Sequence, residues 1–475
     1  MAKVITHTTE HSQLSAASWI LLVVAVASFT VLAISVPHLI SDQGWLVGAR
    51  AGEKFLFVAL IAYLGASALY GSSLALRQSE LLQGAVMLSR GGLLLHTMAI
   101  LARWSSSGHA PLSDIYEMVL VFSWAVVALH VLAEWRLKLP FLGVITLPIA
   151  ALALILMQVL PGEIRPLVPA LQSTWLQIHV TLAMLSYAGF TISFAVALLY
   201  LIKDGVTARN FLTGCGALVL GVYGTIVATC VNGNMALTMA AWDPVAREKV
   251  MLAPRQALMV PLESLGWPFV MALVLAAATL ALNLLASYSA QAERWDKTVR
   301  WVFLAAVGAQ ALALGLLMVK VNDGPHYLPA YTQGFEVRLV DSPFLLAGMA
   351  TALFASIAWM VLDWKYDSIV GYLPSRDSLD SLIYKTVAIS FPLLTFMIIA
   401  GAYWANRTWG AYWSWDPKED WALITWMTYA GYLHMRLTRG WRGRRSAYFA
   451  ILGFGIVMFT FFGVTYLLPG LHAYA

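Results

Sequence analysis

Charge is scarce in this chain. Only 11% of its 475 residues are Asp, Glu, Lys or Arg, where a soluble domain carries roughly 25%. That excludes an ordinary soluble globular protein. The formal net charge of +5 is too small and too dispersed to need a nucleic-acid partner, and none is expected. Cysteine is scarcer still. Cys215 and Cys230 are the two in the chain, both in one apolar stretch with neither CxxC nor metal-ligand spacing. They read as small core residues, so the chain carries no thiol-redox motif of its own. Long polar stretches are also missing, which excludes a large domain outside a membrane.

Apolar sequence fills the space instead. Hydrophobic residues make up 60% of the chain and the mean hydropathy is +0.75. Thirteen apolar runs reach spanning length, near 18–40, 55–76, 85–104, 115–134, 139–159, 174–202, 210–231, 264–288, 299–320, 343–363, 380–403, 418–437 and 446–468. About 20 apolar residues cross a bilayer as a helix. The expected fold is therefore all-α: a polytopic membrane protein of about thirteen transmembrane helices. Residues 1–17 are polar and the run at 18–40 is too long for a cleaved signal peptide, so it reads as a retained span. The loop RLTRGWRGRRS at 436–446 carries five arginines, which places it on the cytoplasmic side by the positive-inside rule. Counting back puts the N-terminus inside and the C-terminus outside. The outer loops are then 105–114, 160–173, 232–263, 321–342, 404–417 and 469–475.

One stretch dominates the rest. Residues 404–426 read WANRTWGAYWSWDPKEDWALITW and hold six tryptophans. Asp416, Pro417 and Glu419 have the spacing of a capping box with proline at the first helical position, so a helix starts there. The tryptophans ahead of it form a shelf at the membrane surface. Indole is amphipathic and common at that depth, so an aromatic belt is one reading. The other is a ligand platform. Trp409, Trp413 and Trp415 crowd around Gly410, with Trp404, Asn406 and Asp416 in the same loop. Trp409 and Trp413 share a face if the loop is helical. Such a wall suits a large planar ligand, and on chemistry alone both readings stand.

Ten histidines supply the candidate metal ligands. Imidazole is a common axial ligand to haem iron, and in lipid it needs a partner or a cavity. His179 lies near the outer end of its span, and His472 lies in the outer tail, so both share the depth of the Trp-rich loop. His434 is 17 residues past Pro417, roughly 25 Å down the helix at 1.5 Å per residue, with Gly431 and Ala430 leaving room beside it. His96, mid-span in the third run, is an internal candidate for a second ligand at that inner site. His38, His130 and His326 read as interfacial or packing residues.

WGAYWSWDPKEDWALITW resembles the tryptophan-rich WWD signature of cytochrome c biogenesis proteins, and its DPKE-x-WALITW continuation is similar to the CcsA/ResC family. RWSSSGHAPLSDIYE (103–117), RPLVPALQSTWLQIHVTLAMLSYAGF (165–190) and the ending GVTYLLPGLHAYA also resemble that family. The resemblance divides the chain into N-terminal spans (1–84), a first CcsA-like block (85–203), an insert of unassigned role (204–370) and a WWD block (371–475). It implies that His179 and His472 are external ligands to haem iron and that His434 holds a haem inside the membrane, the second inner ligand coming from a CcsB/ResB-like partner. It implies a cytochrome c synthase: b-type haem is both substrate and ligand, and it is presented on Trp404, Asn406, Trp409, Gly410, Trp413, Trp415 and Asp416 for thioether attachment to the CxxCH of an apocytochrome c. The chain has no CxxCH of its own, so the acceptor is another protein, and thiol-reducing proteins would supply it reduced. The expected location is a bacterial inner or thylakoid-like membrane, with the Trp-rich loop on the outer side. The alternatives are a CcmC/CcmF-type haem-handling protein, a cytochrome b-like subunit that keeps its haem, and an ordinary transporter; the last leaves the histidines without a role.

Overall fold

The computed structural model describes residues 52–471, apart from 138, 158, 159, 161, 163, 165, 232–235, 244–247, 250–257, 262–265, 289–291, 323–335, 340–342 and 469. The first expected span, 18–40, and His472 lie outside the described residues.

Every other expected run falls on a helix. These are α1 (Glu53–Leu76), α2 (Ser79–Ser107), α3 (Ile115–Leu137), α4 (Gly143–Met157), α5 (Thr174–Lys203), α6 (Ala208–Val231), α7 (Gly266–Tyr288), α8 (Ala292–Asn322), α9 (Pro343–Tyr372), α10 (Arg376–Trp409), α11 (Pro417–Thr438) and α12 (Arg444–Met458). A single π-helical turn, Phe459–Gly463, carries α12 on into Val464–Leu467. Ten helices among the described residues are long and apolar enough to cross a membrane. The chain is thus a helical, multi-pass membrane protein.

The helical fold has one addition. Strand β1 (Ala236–Asp243) pairs antiparallel with β2 (Glu248–Lys249), β3 (Leu258–Pro261) and β4 (Glu336–Leu339). This small sheet joins two loops, 232–263 and 321–342, that the sequence reads only as connections. Their apolar segments are too short for a span but long enough to pair as strands.

Helix α5 is the axis of the bundle. Its apolar window is 78% buried, against 22–61% in the other candidate spans. It packs along α10 and also meets α3 and α12. Phe190 of α5 stacks on Tyr429 of α11 with centroids 3.6 Å apart. Buried residues of α1–α5 and α10–α12 form one continuous core. Helices α6–α9 build a second cluster around Tyr223, Phe269, Ala313 and Met349.

The antiparallel run of α5 and α10 defines two ends. At one, Asp204 accepts from Arg376 Nη1 at 2.8 Å and from Arg444 Nε. Nearby, Asp380 takes both guanidinium nitrogens of Arg436, at 2.8 and 2.7 Å, and the backbone N–H of Gly443 at 2.8 Å. The loops that the sequence assigns to the inner face meet here. At the other end, residues of the loops near 105–114, 160–173 and 410–416 converge on one cleft.

Candidate functional site: a Trp-lined cleft at one end of the bundle

The Trp-rich segment is more helical than its sequence suggests. Helix α10 continues through Trp409, so Trp404, Asn406 and Trp409 sit on its last turns and not in a loop. Gly410 then ends the helix in a left-handed conformation (φ 80°), its N–H donating to the Asn406 carbonyl at 2.9 Å. Trp409 and Trp413 therefore do not share a helical face, because the helix stops between them.

The loop 410–416 is held from below by the start of α11. The expected capping box is present: Asp416 accepts from the Lys418 N–H at 3.0 Å, and Glu419 Oε2 accepts from the Asp416 N–H at 3.2 Å. The same Glu419 oxygen accepts from Ser414 N–H at 2.7 Å and from Ser414 Oγ at 3.2 Å. Within this frame Trp415 has φ 57°, a left-handed conformation unusual for a bulky residue. The residue is 73% exposed, and its ring meets Trp413 edge-on at 6.3 Å.

The cleft has about 1140 Å³ of non-atom space, its open mouth included, and is lined among others by His179, Gly401, Trp404, Trp413 and Lys418. Trp404 is buried and donates its indole N–H to the Ala170 carbonyl at 3.0 Å. Trp409 packs edge-on against it at 4.8 Å. So the four tryptophans divide: Trp404 and Trp413 face the cleft, Trp409 backs Trp404, and Trp415 stands at the rim.

His179 faces the same cleft. Its ring lies nearly parallel to Trp404, 6.4 Å between centroids and 19° between planes. Nδ1 lies 2.8 Å from the Met397 carbonyl oxygen. A carbonyl only accepts, so Nδ1 carries the proton and the basic lone pair is on Nε2. A backbone hydrogen bond of this kind fixes the tautomer and orientation of metal-binding histidines. The ring also lies against Gly401, where a Cβ would be 2.6 Å from it; no larger residue leaves it in this position.

The loop before α3 closes the cleft from the other side. Buried Arg103 donates to Glu117 at 2.8 Å and to the Gly162 carbonyl at 2.6 Å, and lies 3.9 Å from Asp114. Glu117 in turn accepts from Ser113 N–H at 2.9 Å, while its own N–H donates to Asp114 at 2.8 Å. Sequence patterning does not find Arg103 as a structural residue, because its partners are 14 and 59 residues away.

The inner candidates do not meet. His434 is exposed on the flank of α11, in line with Met427 and Leu437, both also exposed. His96 is completely buried elsewhere. Its Nε2 donates to the Leu120 carbonyl at 3.1 Å, and its Nδ1 accepts from the Tyr63 hydroxyl at 3.2 Å. Both nitrogens are taken, so the expectation of His96 as an internal iron ligand gives way to a packing histidine. His472 is beyond the described residues, but the tail leading to it is anchored: Leu471 donates its N–H to Asp416 Oδ2.

A family profile described as Cytochrome C assembly protein matches residues 112–322 and 269–472. The Cytochrome c biogenesis protein CcsA of Synechococcus sp. (strain JA-3-3Ab) is 31% identical over 422 residues, 88% of this chain and 93% of the relative. That of Trichormus variabilis is 31% identical over 446 residues, 92% of this chain and 99% of the relative. That of Nostoc sp. (strain PCC 7120) is 29% identical over 450 residues, with the same coverage of 92% and 99%. At 92% coverage of this chain, the last two alignments take in the middle segment 204–370 as well. The chain is a member of the cytochrome c assembly protein family, a multi-pass membrane protein with a role in cytochrome c biogenesis.

Proposed function

We propose that the chain is the haem-handling subunit of a cytochrome c synthase. The observation that carries this is His179 beside Trp404 in the cleft, with its lone pair on Nε2. That arrangement offers one axial imidazole to a planar substrate, with Trp404 and Trp413 walling the cleft beside it. His472 is the second external ligand in this reading, since Asp416 tethers the residue just before it. His434 serves an earlier site within the membrane, completed by a CcsB/ResB-like partner on the exposed flank of α11.

The reaction needs no nucleophile from this chain. Each thiol of the CxxCH acceptor adds across one haem vinyl group: sulfur bonds to one vinyl carbon, the proton ends on the other, and no net oxidation occurs. The chain's part is to bind and orient the haem edge and to exclude water. His179, held by the Met397 carbonyl, would bind the iron; Trp404 and Trp413 would wall the space on either side of it; the 410–416 loop shapes the rim where the acceptor peptide arrives. In this reading the cleft side faces the periplasm or thylakoid lumen, which the arginine-rich loop at the opposite end supports.

The test is cytochrome c maturation in cells whose own synthase has been deleted, with the partner co-expressed. Wild type restores c-type cytochromes, and His179→Ala and His472→Ala do not. Full maturation by both variants would reject the external ligand pair.

A further inference from the structure

Lys418 is in an unexpected place. It occupies the first turn of α11, where the helix dipole disfavours a cation. It lines a mostly apolar cleft. Among the described residues no carboxylate lies within ion-pair distance of its ammonium.

The acids around it are already committed. Asp416 accepts from two backbone N–H groups, those of Lys418 and Leu471. Glu419 holds the loop through Ser414 and the Asp416 N–H. Asp114 accepts from Glu117 N–H and faces Arg103. Lys418 is half-buried and feels the Asp416 charge without touching it, so its ammonium still has room for a contacting anion. The ring-binding surfaces of the same cleft, His179 and Trp404, define where a planar substrate would lie, and haem carries two carboxylates on one edge.

We propose that Lys418 binds a propionate of the haem and so sets which edge points out of the cleft. With the propionate edge drawn toward the start of α11, the vinyl edge is left toward the rim. This inference rests on the haem-handling function above and adds to it the group that reads the ring's orientation.

The experiment is a Soret titration of the purified full-length chain with haemin and with haemin dimethyl ester, in which both propionates are neutral. Wild type should prefer haemin by about tenfold, the scale of one charge-assisted hydrogen bond. Lys418→Met should bind both forms equally, with its affinity for the diester unchanged, which also shows that it is folded. Lys418→Arg should keep the preference. No preference in wild type, or an undiminished preference in Lys418→Met, overturns the proposal while leaving haem handling intact. Failure of wild type to bind either form overturns both.

Discussion

The carboxylate of Asp416 joins the start of α11 to the C-terminal tail by accepting the backbone N–H of Leu471. One residue therefore caps the helix under the Trp-rich loop and fixes the tail one position before His472. At Gly470 the approach is so close that a Cβ would overlap Asp416 Oδ2.

The two roles of Asp416 separate on substitution. Asn is as good an N-cap as Asp, but its amide nitrogen cannot accept from Leu471. Asp416→Asn should keep the thermal midpoint in detergent close to that of wild type and still lose most maturation. Asp416→Ala should lose both, the missing cap alone costing about 1 kcal/mol. Normal maturation by Asp416→Asn would show that the tether is dispensable.

His179 should respond to its floor. Gly401→Ala places a methyl group 2.6 Å from the ring, and overpacking of this kind costs roughly 1–3 kcal/mol. The ring must then turn from the Met397 carbonyl and the Trp404 face. Haem retained at the external site should fall severalfold, with a shifted Soret maximum. An unaltered spectrum at wild-type occupancy would mean that the ring's position does not matter.

The Asp380–Arg436 pair should be the costliest polar contact at the opposite end. Both side chains are about one-tenth exposed, and removing one partner of such a pair strands the other, at roughly 3–5 kcal/mol. Asp380→Ala should lower the unfolding midpoint sharply, and Asp380→Ala combined with Arg436→Met should recover part of the loss. A midpoint unmoved in the single variant would count against this end as a structural clamp.

Asp204 gives that end its pH dependence. Burial acts to raise its pKa, but Arg376 and Arg444 outweigh burial and hold it below the ordinary carboxylate value of 3.8. A folded-state pKa below the unfolded one stabilises the fold above the unfolded value and ceases to do so as pH falls through the folded one. The clamp should therefore survive at pH 5 and weaken only below about 4. Asp204→Asn should remove that acid-side loss, seen as a flatter unfolding midpoint between pH 5 and 3.

The spans, the capping box and the shared depth of His179 with the Trp-rich loop are legible in the sequence because each rests on local spacing. What was not legible depends on distant partners. Arg103 reads as a charge at the end of a span until Gly162 and Glu117 come to meet it. His96 reads as a candidate ligand until Tyr63 and Leu120 occupy its nitrogens. Lys418 carries no signal of its own in the sequence, and only the cleft shows that, among the described residues, no carboxylate lies within ion-pair distance of its ammonium. The pairing of β1 with β4 escaped because it joins segments almost a hundred residues apart in sequence.

The most direct test of the central claim is haem content by pyridine haemochrome spectra of the purified chain with its CcsB-like partner, comparing wild type, His434→Gly and His472→Gly. His434→Gly should empty the protein. His472→Gly should keep the inner haem while cytochrome c maturation stops. Unchanged haem content in both variants would rule out the two-site path and leave the histidines and tryptophans as packing and interfacial residues.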